Sequence, residues 1–315
     1  MEHGQIGVVI VTHRARDLLD DCIRPLRASP LRPRILVVNS SSRDGTVELA
    51  QVLGAETLII PRGSFNHGRT RELARRHLAT PIIVMLTPDA HACNSSFLEQ
   101  LTAPLRAGEA AVAYGRQLPR DGADRIEKFN REFNYPALSH SRSRADWQLY
   151  GGYTHFCSNA CAAWVSSALD EVGGFPDTLV SEETIAAALL LERGHRIAYV
   201  AEATVRHSHA TSLLGDFRRQ YDTGYTRRAH RRVLLARGHD EARGLLYARQ
   251  LTAHLAQTAP ALLVYAALHT AVRYAGYRLG MAGARLPRRL NAALSGQDYY
   301  WQRPEAGEPL SVAVG

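Results

Sequence analysis

The sequence predicts an α/β fold built on a mainly parallel sheet. Short apolar runs rich in β-branched residues alternate with helical patterns through the first ninety residues. Uninterrupted apolar strands are typical of strands that are buried on both faces. Helices between such strands imply right-handed crossovers, which place helices on both sides of the sheet. After Leu213 the pattern becomes helical.

The elements of the first part can be placed in order. The run "IGVVIVT" predicts the first strand, and a helical spacing of apolar residues follows it. The later strands have the same apolar character, and each leads into a helical pattern. We therefore predict strands at Ile6–Thr12, Arg34–Ser40, Glu56–Pro61 and Pro81–Leu86, and helices at Arg16–Ala28, Asp44–Ala55 and His67–Ala79.

Residues 110–212 predict mixed structure. "AAVAYGRQ" is typical of a strand, "SALDEVGGF" of a helix that ends on glycines, and "HRIAYVAEATVRHSH" of an edge strand pair. We expect an α/β domain over residues 1–215 and a basic helical region over residues 216–315. The chain contains no internal repeat and no low-complexity linker.

The composition limits the class of protein. With 315 residues, 45% hydrophobic and 22% charged, the chain suits one large or two modest globular domains. The four cysteines form no Cys-x-x-Cys pair, which argues against a disulfide scaffold and a structural zinc site. The first residues, "MEHGQIG", lack the basic and apolar segments of a secretory signal. We expect a cytoplasmic protein.

The net charge of +8 is concentrated near the C-terminus. Residues 216–303 contain fifteen Arg, no Lys and five acids, which leaves 23 basic and 25 acidic residues elsewhere. Such a segment can bind nucleic acid, anionic lipid or an acidic substrate, or its arginines can simply solvate helix faces. Within it, Gln250–Val272 is uncharged but too polar for a good bilayer span. A helix pair lying on the protein or on a membrane surface is the better interpretation.

Polar residues follow the predicted strands at the edge where ligands bind in such sheets. Thr12 and Arg14 follow the first strand, and Asp89 follows the fourth in "TPDA". After the second strand, "NSSSRDGT" offers Asn39, Ser41 and Asp44 to a nucleotide, and Asp44 can also cap a helix that begins at Gly45. Taken alone, a capped turn is the better explanation of this segment.

The segment "FNHGRTRELA" places polar and basic groups at the start of the third helix. Exposed amides together with guanidinium groups suit a diphosphate, although a basic helix face explains the same pattern. The candidates here are Asn66, His67, Arg69 and Arg71.

Two further clusters suggest chemistry. Glu182 and Glu183 stand at the start of a helix, where the macrodipole favours a carboxylate and where a general base for a hydroxyl could lie. His207 and His209 are two residues apart in an extended segment, so their imidazoles share one face. Together with Asp89 they favour a metal site.

The order and spacing of these motifs resemble the inverting family 2 glycosyltransferases with the GT-A fold, a Rossmann-like nucleotide-diphospho-sugar transferase fold. The similarity is greatest to bacterial rhamnosyltransferases and covers roughly residues 7–225. The motifs that carry it are "VVIVTHRARDLLDDCI", "VVNSSSRDGT", "FNHGRTR", "TPDA", "SNACAAWVSSALDEVGGFPD", "SEET" and "HSH".

The resemblance implies roles for individual residues. Asp89 is the retained second acid of the family's Asp-x-Asp motif, and Thr87 replaces the first. A divalent cation, Mg²⁺ or Mn²⁺, would be held by Asp89 with His207 or His209. The base, usually the Asp of a Glu–Asp pair, would be Glu183 beside Glu182. Asn39 stands where an Asp often contacts the nucleotide.

The resemblance also implies an activity. The chain would transfer a sugar, a rhamnose-like deoxysugar, from a nucleoside-diphosphate donor with inversion, in bacterial surface polysaccharide synthesis. The acceptor would be a saccharide or a lipid-linked saccharide, met at the inner face of the cell membrane. Ser158 and Asn159 would make polar contacts at the donor–acceptor junction, where Trp164 could stack on a sugar or belong to the core.

Two other classes of protein are alternatives to this activity. Because Thr87, Asn39 and Glu183 depart from the family pattern, a catalytically inactive sugar-nucleotide-binding or scaffold protein is the main alternative. A nucleotide-sugar pyrophosphorylase would need a glycine-rich basic loop after the first strand, where "THRARDLL" stands instead. Nucleic acid is not an expected partner, and a homo-oligomer is compatible with the sequence.

Overall fold

The computed structural model describes residues 4–207, 212–238, 241–302 and 313–314. The strands are β1 (Ile6–Thr12), β2 (Arg34–Asn39), β3 (Glu56–Ile59), β4 (Ile82–Leu86), β5 (His91–Ala92), β6 (Val112–Leu118), β7 (His140–Arg142), β8 (Cys161–Val165), β9 (Ile197–Arg206) and β10 (Ala313–Val314). The helices are α1 (Arg16–Arg27), α2 (Thr46–Val52), α3 (His67–Leu78), α4 (Phe97–Arg106), α5 (Arg125–Asn134), α6 (Trp147–Tyr150), α7 (Ser166–Glu171), α8 (Glu182–Glu192), α9 (Leu213–Ala229), α10 (Arg231–Leu234), α11 (Glu241–Thr258), α12 (Leu263–Ala282), α13 (Arg288–Leu294) and α14 (Asp298–Gln302).

One mixed sheet organises the chain. Its strand order is β10-β3-β2-β1-β4-β8-β6-β9-β5, and β7 also pairs with β9. Strands β1 to β4 are parallel, whereas β8 runs antiparallel between β4 and β6. The register pairs Thr12 with Asn39 and Ile10 with Leu86, so the carboxyl ends of β1, β2 and β4 meet at one edge. The predicted α/β fold is confirmed.

Two apolar layers cover the sheet, one on each face. Along β1, Val9 belongs to one layer while Val8 and Ile10 belong to the other, as the alternation of side chains in a strand requires. Helix α1 adds Leu19 and Ile23, at the helical spacing of four, to the second layer. The prediction that both faces are covered is therefore correct.

The predicted edge strand pair at residues 195–209 is wrong. Over residues 195–207 the structure has a single strand, β9, which lies between β6 on one side and the short strands β5 and β7 on the other. No glycine or proline interrupts residues 197–206, so nothing turns the chain back. An irregularity in the ladder with β6 falls after Gly115, where a Cβ atom would lie 2.4 Å from the Ala203 carbonyl oxygen.

The C-terminal helices pack on one another, and α11 also packs on α5. Helices α9 and α12 approach closely because glycines stand at their contact. A Cβ atom on Gly224 would lie 2.1 Å from the Tyr277 carbonyl oxygen, and one on Gly280 would lie 2.0 Å from that of Tyr221. The uncharged stretch Gln250–Val272 forms the end of α11 and the first half of α12, as the predicted helix pair requires.

The end of the chain returns to the sheet. Helix α14 packs beside the turn at residues 62–64, and β10 adds an antiparallel edge to β3. Across the parts of the chain that the structure describes, no helix has the length and apolar character needed to span a membrane.

Candidate active site

The carboxyl edge of the sheet collects most of the predicted residues. Thr12, Asn39 and Asp89 end or follow β1, β2 and β4. Ser158 and Asn159 reach the same edge from the opposite direction, because they precede the antiparallel strand β8. The Ser158 hydroxyl accepts a hydrogen bond from Gln117 Nε2 at 3.0 Å.

The loop after β2 is held by its own side chains. Asn39 is fully buried, and its Nδ2 donates to the hydroxyls of Thr12 (3.3 Å) and Ser42 (2.8 Å). Its Oδ1 accepts from the backbone N–H of Ser42 at 2.8 Å, and the Ser41 hydroxyl donates to the Ile60 carbonyl at 2.7 Å. Asn39 therefore shapes this loop through both ends of its amide, an arrangement typical of Asx turns.

Asp44 does not cap the helix that follows it, so that prediction is wrong. Helix α2 begins at Thr46 after Gly45, and the Asp44 carboxylate instead accepts from the Arg16 backbone N–H at 3.2 Å, at the start of α1. Partial burial raises its pKa, but hydrogen bonds from Thr46, Ser42 and this N–H together lower the pKa well below the ordinary value. Asp44 is a fixed anion that ties the loop after β1 to the loop after β2.

Three non-glycine residues at this edge have a left-handed backbone. Arg14 (φ 52°) follows β1, Ser41 (φ 53°) follows β2, and Ser181 (φ 64°) precedes Glu182. Such conformations are strained for side chains with a Cβ atom, and they persist where the surrounding structure imposes them. Arg14 is exposed, so its guanidinium can reach a ligand above the edge.

Asp89 and His207 lie together, although they are far apart in sequence. The His207 Nδ1 atom is 3.3 Å from Asp89 Oδ2, and both side chains are largely buried. Arg120 donates to the Asp89 backbone carbonyl at 2.7 Å, which fixes the turn after β4. The Thr87 hydroxyl is buried and has no hydrogen-bond partner within the described part of the chain.

This pair suits a divalent cation. A carboxylate and an imidazole are both common metal donors, and Thr87, whose buried hydroxyl has no hydrogen-bond partner among the described residues, stands two positions before Asp89 in the chain. Within residues 4–207, 212–238, 241–302 and 313–314, no group of three or more His, Cys, Asp and Glu side chains converges. The cation would therefore complete its coordination with oxygens of a bound diphosphate and water. His209, the other predicted donor, lies outside the described residues.

The start of α3 is braced against the segment before α8. Asn66 is the N-cap: its Oδ1 accepts from the Arg69 backbone N–H at 2.9 Å, and its Nδ2 donates to the Thr178 carbonyl at 2.7 Å. Gly68 approaches this segment so closely that a Cβ atom would lie 1.8 Å from the Pro176 carbonyl oxygen. The Arg69 guanidinium lies 3.7 Å from Asp177.

Gly68→Ala is expected to destabilise the protein, because the added methyl group must displace the Pro176 backbone. Overpacking of this kind costs about 1–3 kcal/mol. Chemical denaturation measures the free energy of unfolding. Gly63→Ala is the matched control, since a Cβ atom at Gly63 would meet nothing within 4 Å. Equal stability of the two variants would contradict the bracing role of Gly68.

His67 is held in an aromatic contact. Its ring lies edge-on to Phe65, 5.0 Å between centroids, and 6.4 Å from the ring of Tyr299 in α14. Burial and the nearby Arg71 guanidinium lower the pKa of His67 to about 4. His67 is therefore neutral at physiological pH and supplies no positive charge to a diphosphate.

Glu182 is a buried, paired carboxylate. Its Oε1 accepts from Arg71 Nη1 at 2.5 Å and from Asn159 Nδ2 at 3.1 Å. Burial raises its pKa, but Arg71, His67 and Asn159 together hold the pKa below the ordinary value. Asn159 in turn accepts from Trp164 Nε1 at 2.9 Å. Trp164 is fully buried, so it belongs to the core, and the suggestion that it stacks on a sugar is wrong.

The pKa of Glu183 is shifted in the opposite direction to that of Glu182. Burial, followed by the negative charge of Glu182, raises the pKa of Glu183 to about 8. The residue is only partly covered, so a ligand can reach it. Two neighbouring carboxylates with pKa values pushed apart are typical of sites in which one acts as an acid or base and the other as a fixed charge.

Some contacts at this site were not anticipated from the sequence. Arg71, a predicted diphosphate contact, is buried and forms an ion pair with Glu182. Arg120 holds the turn that carries Asp89, and Tyr299 covers the start of α3 with Arg62 stacked 5.2 Å from its ring centroid. None of these pairings has a local signal, because the partners are 31 or more residues apart.

The mixed sheet, with the carboxyl ends of β1, β2 and β4 at one edge and Asp89 in the turn after β4, is the GT-A fold of nucleotide-diphospho-sugar transferases. Among solved structures, the chain is similar to mannosyltransferase PcManGT from Pyrobaculum calidifontis in complex with GDP-Man and Mn²⁺ (16% identity, 95% of this chain and 86% of that chain, TM-score 0.56). It is also similar to S. aureus TarS 1–349 in complex with UDP-GlcNAc (13% identity, 89% and 91% coverage, TM-score 0.53).

The sequence profile described as glycosyl transferase family 2 matches residues 7–173, and the chain belongs to this family. It is 32% identical over 301 residues to the O-antigen chain rhamnosyltransferase RfbN of Salmonella typhimurium, covering 94% of this chain and 96% of that protein. It is 32% identical over 270 residues to the O-antigen chain rhamnosyltransferase WbaN of Salmonella anatum, covering 85% and 86%. The resemblance inferred from the motifs is confirmed, and the chain is a glycosyltransferase.

Proposed function

We propose that this glycosyltransferase moves rhamnose from a nucleoside-diphosphate donor to a hydroxyl group of a saccharide or lipid-linked acceptor, with inversion, in the synthesis of a surface polysaccharide. The observation that carries the proposal is the position of Glu183, a reachable carboxylate with a raised pKa, at the start of α8. The two relatives named as O-antigen chain rhamnosyltransferases support the choice of sugar and pathway class.

The donor would lie along the carboxyl edge of the sheet. The loop shaped by Asn39 and Asp44 would receive the nucleoside, while Arg14 and Arg69 would face the diphosphate. Asp89 and His207 would hold a divalent cation, Mg²⁺ or Mn²⁺, which supplies positive charge that stabilises the leaving diphosphate. Arg120 would keep the Asp89 backbone in place through its 2.7 Å hydrogen bond.

Glu183 would perform the proton transfer. Its carboxylate accepts the proton of the acceptor hydroxyl as that oxygen forms a bond to the anomeric carbon. The bond from this carbon to the diphosphate oxygen breaks, and its electron pair leaves with the nucleoside diphosphate. Because attack comes from the face opposite the leaving group, the anomeric configuration inverts. Glu182, paired with Arg71 and hydrogen-bonded by Asn159, would stay ionised, and its negative charge would help to keep the pKa of Glu183 raised.

The rate of transfer should rise with pH. A general base works only when deprotonated, and Glu183 is protonated below its pKa of about 8. We expect kcat/KM for the acceptor to increase from about pH 6 to about pH 9, with its midpoint near the pKa of the free enzyme. A profile that is flat across this range, with donor binding constant, would contradict the assignment of Glu183 as the base.

Donor choice tests the proposed activity directly. Purified protein would be incubated with Mn²⁺ and a nucleoside diphosphate–rhamnose, GDP-mannose or UDP-GlcNAc, and release of the nucleoside diphosphate would be measured with and without a saccharide acceptor. We expect turnover with the rhamnose donor, increased by the acceptor. Binding of the donor without any turnover would instead support an inactive, sugar-nucleotide-binding protein.

The C-terminal helices offer a surface for a peripheral membrane contact, which we propose as the location of the enzyme. Val264 and Leu268 of α12 are 83% and 52% exposed, and Leu245 of α11 is 64% exposed, within the arginine-rich region. Apolar side chains bordered by arginines are typical of helices that lie on anionic membranes. Each Arg near such a surface contributes about 1 kcal/mol.

Vesicle co-sedimentation tests this surface. The double variant Val264→Glu/Leu268→Glu should lose binding to anionic vesicles. Binding of the wild-type protein should weaken as salt is added, because the attraction is screened within about 8 Å at physiological ionic strength. Val52→Glu, at an equally exposed apolar position on α2, is the control that should keep binding. Equal binding to neutral and anionic vesicles, or none, would indicate that these helices pack on a second subunit instead.

A further inference from the structure

A cavity lies away from the edge that would receive the donor. It has a volume of about 670 Å³ and opens between α5, the turn at residues 151–156 and the C-terminal helices α9, α11 and α12. This volume is within the range of about 300–1,000 Å³ that is typical of small-molecule sites. None of the residues predicted from the sequence to bind the donor or the metal lines it.

The walls of the cavity combine aromatic rings with planar polar groups. Six aromatic side chains line it, whereas Leu245 is the one lining side chain of a branched aliphatic type. Nine other lining residues are polar or charged, including Asn130, Asn134, Gln220 and Thr223. Rings that cover the apolar face of a sugar, with amides and hydroxyls that bond its hydroxyl groups, suit a saccharide.

One wall is already rigid. The Arg243 guanidinium stacks 4.0 Å from the ring centroid of Tyr153 and 4.5 Å from that of Phe133. It also donates to Asn134 Oδ1 at 3.1 Å. These contacts hold two aromatic rings and an amide in fixed positions, so little conformational entropy is lost when a ligand binds between them.

The cavity is connected to the proposed base through a short segment. The turn at Gly151–His155 packs against α11 on the cavity side and against α8, the helix that begins with Glu182 and Glu183. Phe156 lines the cavity, and Cys157, the next residue, lies within the electrostatic influence of Glu183. Residues 151–156 therefore form a short link between the cavity and the helix that carries the proposed base.

We infer that this cavity is the acceptor site and binds one or more sugar units of the acceptor saccharide between the aromatic wall of α5 and residues 151–156 and the polar face of α9. The inference rests on the proposed glycosyl transfer and extends it, because it assigns the acceptor to the C-terminal helices. It gives these helices a role in substrate recognition beside the proposed membrane contact, since Val264 and Leu268 of α12 do not line the cavity.

Saturation-transfer NMR with methyl glycosides of rhamnose, mannose and galactose, and disaccharides of these sugars, tests the inference. Thr223→Trp on α9 places a large ring in the cavity. We expect the saturation-transfer signal of the saccharide to fall at least about tenfold in this variant. Ala229→Trp, an exposed position on the same helix outside the cavity, is the control that should keep the wild-type signal. Asn130→Ala, which removes one amide without filling space, should weaken binding to a smaller extent.

Thermal unfolding of each variant establishes that it is folded. Calorimetry measures the affinity of the wild type and of Ala229→Trp for a nucleoside diphosphate in the presence of Mn²⁺. This measurement tests the proposed activity separately, so a failure of donor binding is distinguished from a failure of this inference. The assignment would be overturned if the wild type bound no saccharide, or if folded Thr223→Trp and Ala229→Trp bound the saccharide equally. It would also be overturned if Thr223→Trp lost only the binding of a probe with an octyl chain and kept the binding of saccharides.

Discussion

Asp89→Ala should abolish the metal-dependent part of nucleoside-diphosphate binding. The substitution removes the one carboxylate of the Asp89–His207 pair, and a hard cation depends on anionic oxygen donors. Changes in residues that only support metal ligands already cost about 10–100-fold, so loss of a ligand should reduce transfer by more than about 100-fold. Calorimetric titration of the nucleoside diphosphate, with and without Mn²⁺, measures the effect.

Asp121→Ala is the matched control for Asp89→Ala. Asp121 is a 95% exposed carboxylate that pairs with Arg206, the residue before His207, so it belongs to the same neighbourhood without facing the site. This variant should bind the nucleoside diphosphate with the affinity of the wild type. If Asp89→Ala also retains the Mn²⁺-dependent gain in affinity, the cation is held elsewhere.

Glu183→Gln should bind the donor normally and lose transfer. A neutral amide has the size of the carboxyl group but cannot accept the acceptor proton. Loss of a general base costs about 10²–10⁴-fold in rate. Single-turnover measurement of transfer, with donor affinity measured separately, checks this result. Normal turnover in Glu183→Gln would assign the base to another residue.

The stability of Glu183→Gln gives an independent test. The pKa of Glu183 is raised in the folded protein, so its contribution to stability is present below the ordinary carboxyl pKa and is lost as pH rises through about 8. Gln does not titrate. Relative to wild type, the variant should therefore become more stable between about pH 5 and about pH 9.

Glu182→Gln should behave differently from Glu183→Gln. It leaves the buried Arg71 guanidinium without its counter-charge, and breaking a buried ion pair costs about 3–5 kcal/mol. The two neighbouring substitutions thus separate the roles. Glu183→Gln should mainly lower the rate of transfer, and Glu182→Gln should mainly lower the free energy of unfolding.

Much of the site could be expected from the sequence. The ends of the first, second and fourth strands are local features, because apolar β-branched runs and the polar residues after them identify a strand and its edge. Parallel strands then bring Thr12, Asn39 and Asp89 to one edge without further information. Glu182 and Glu183 were identifiable as adjacent acids at a helix start, but nothing local distinguishes a paired carboxylate from one with a raised pKa.

By itself, the sequence determined the α/β class, the order of the early elements and the family, since each depends on local periodicity or on motif order. Only the tertiary structure decided that β8 enters the sheet antiparallel, that β9 is one strand, and that Arg71 pairs with Glu182 across 111 residues. It also decided that α5 and the C-terminal helices enclose a cavity. The physical reason is that periodicity shows which face of an element is buried, whereas the partner that buries it is chosen by packing over the whole chain.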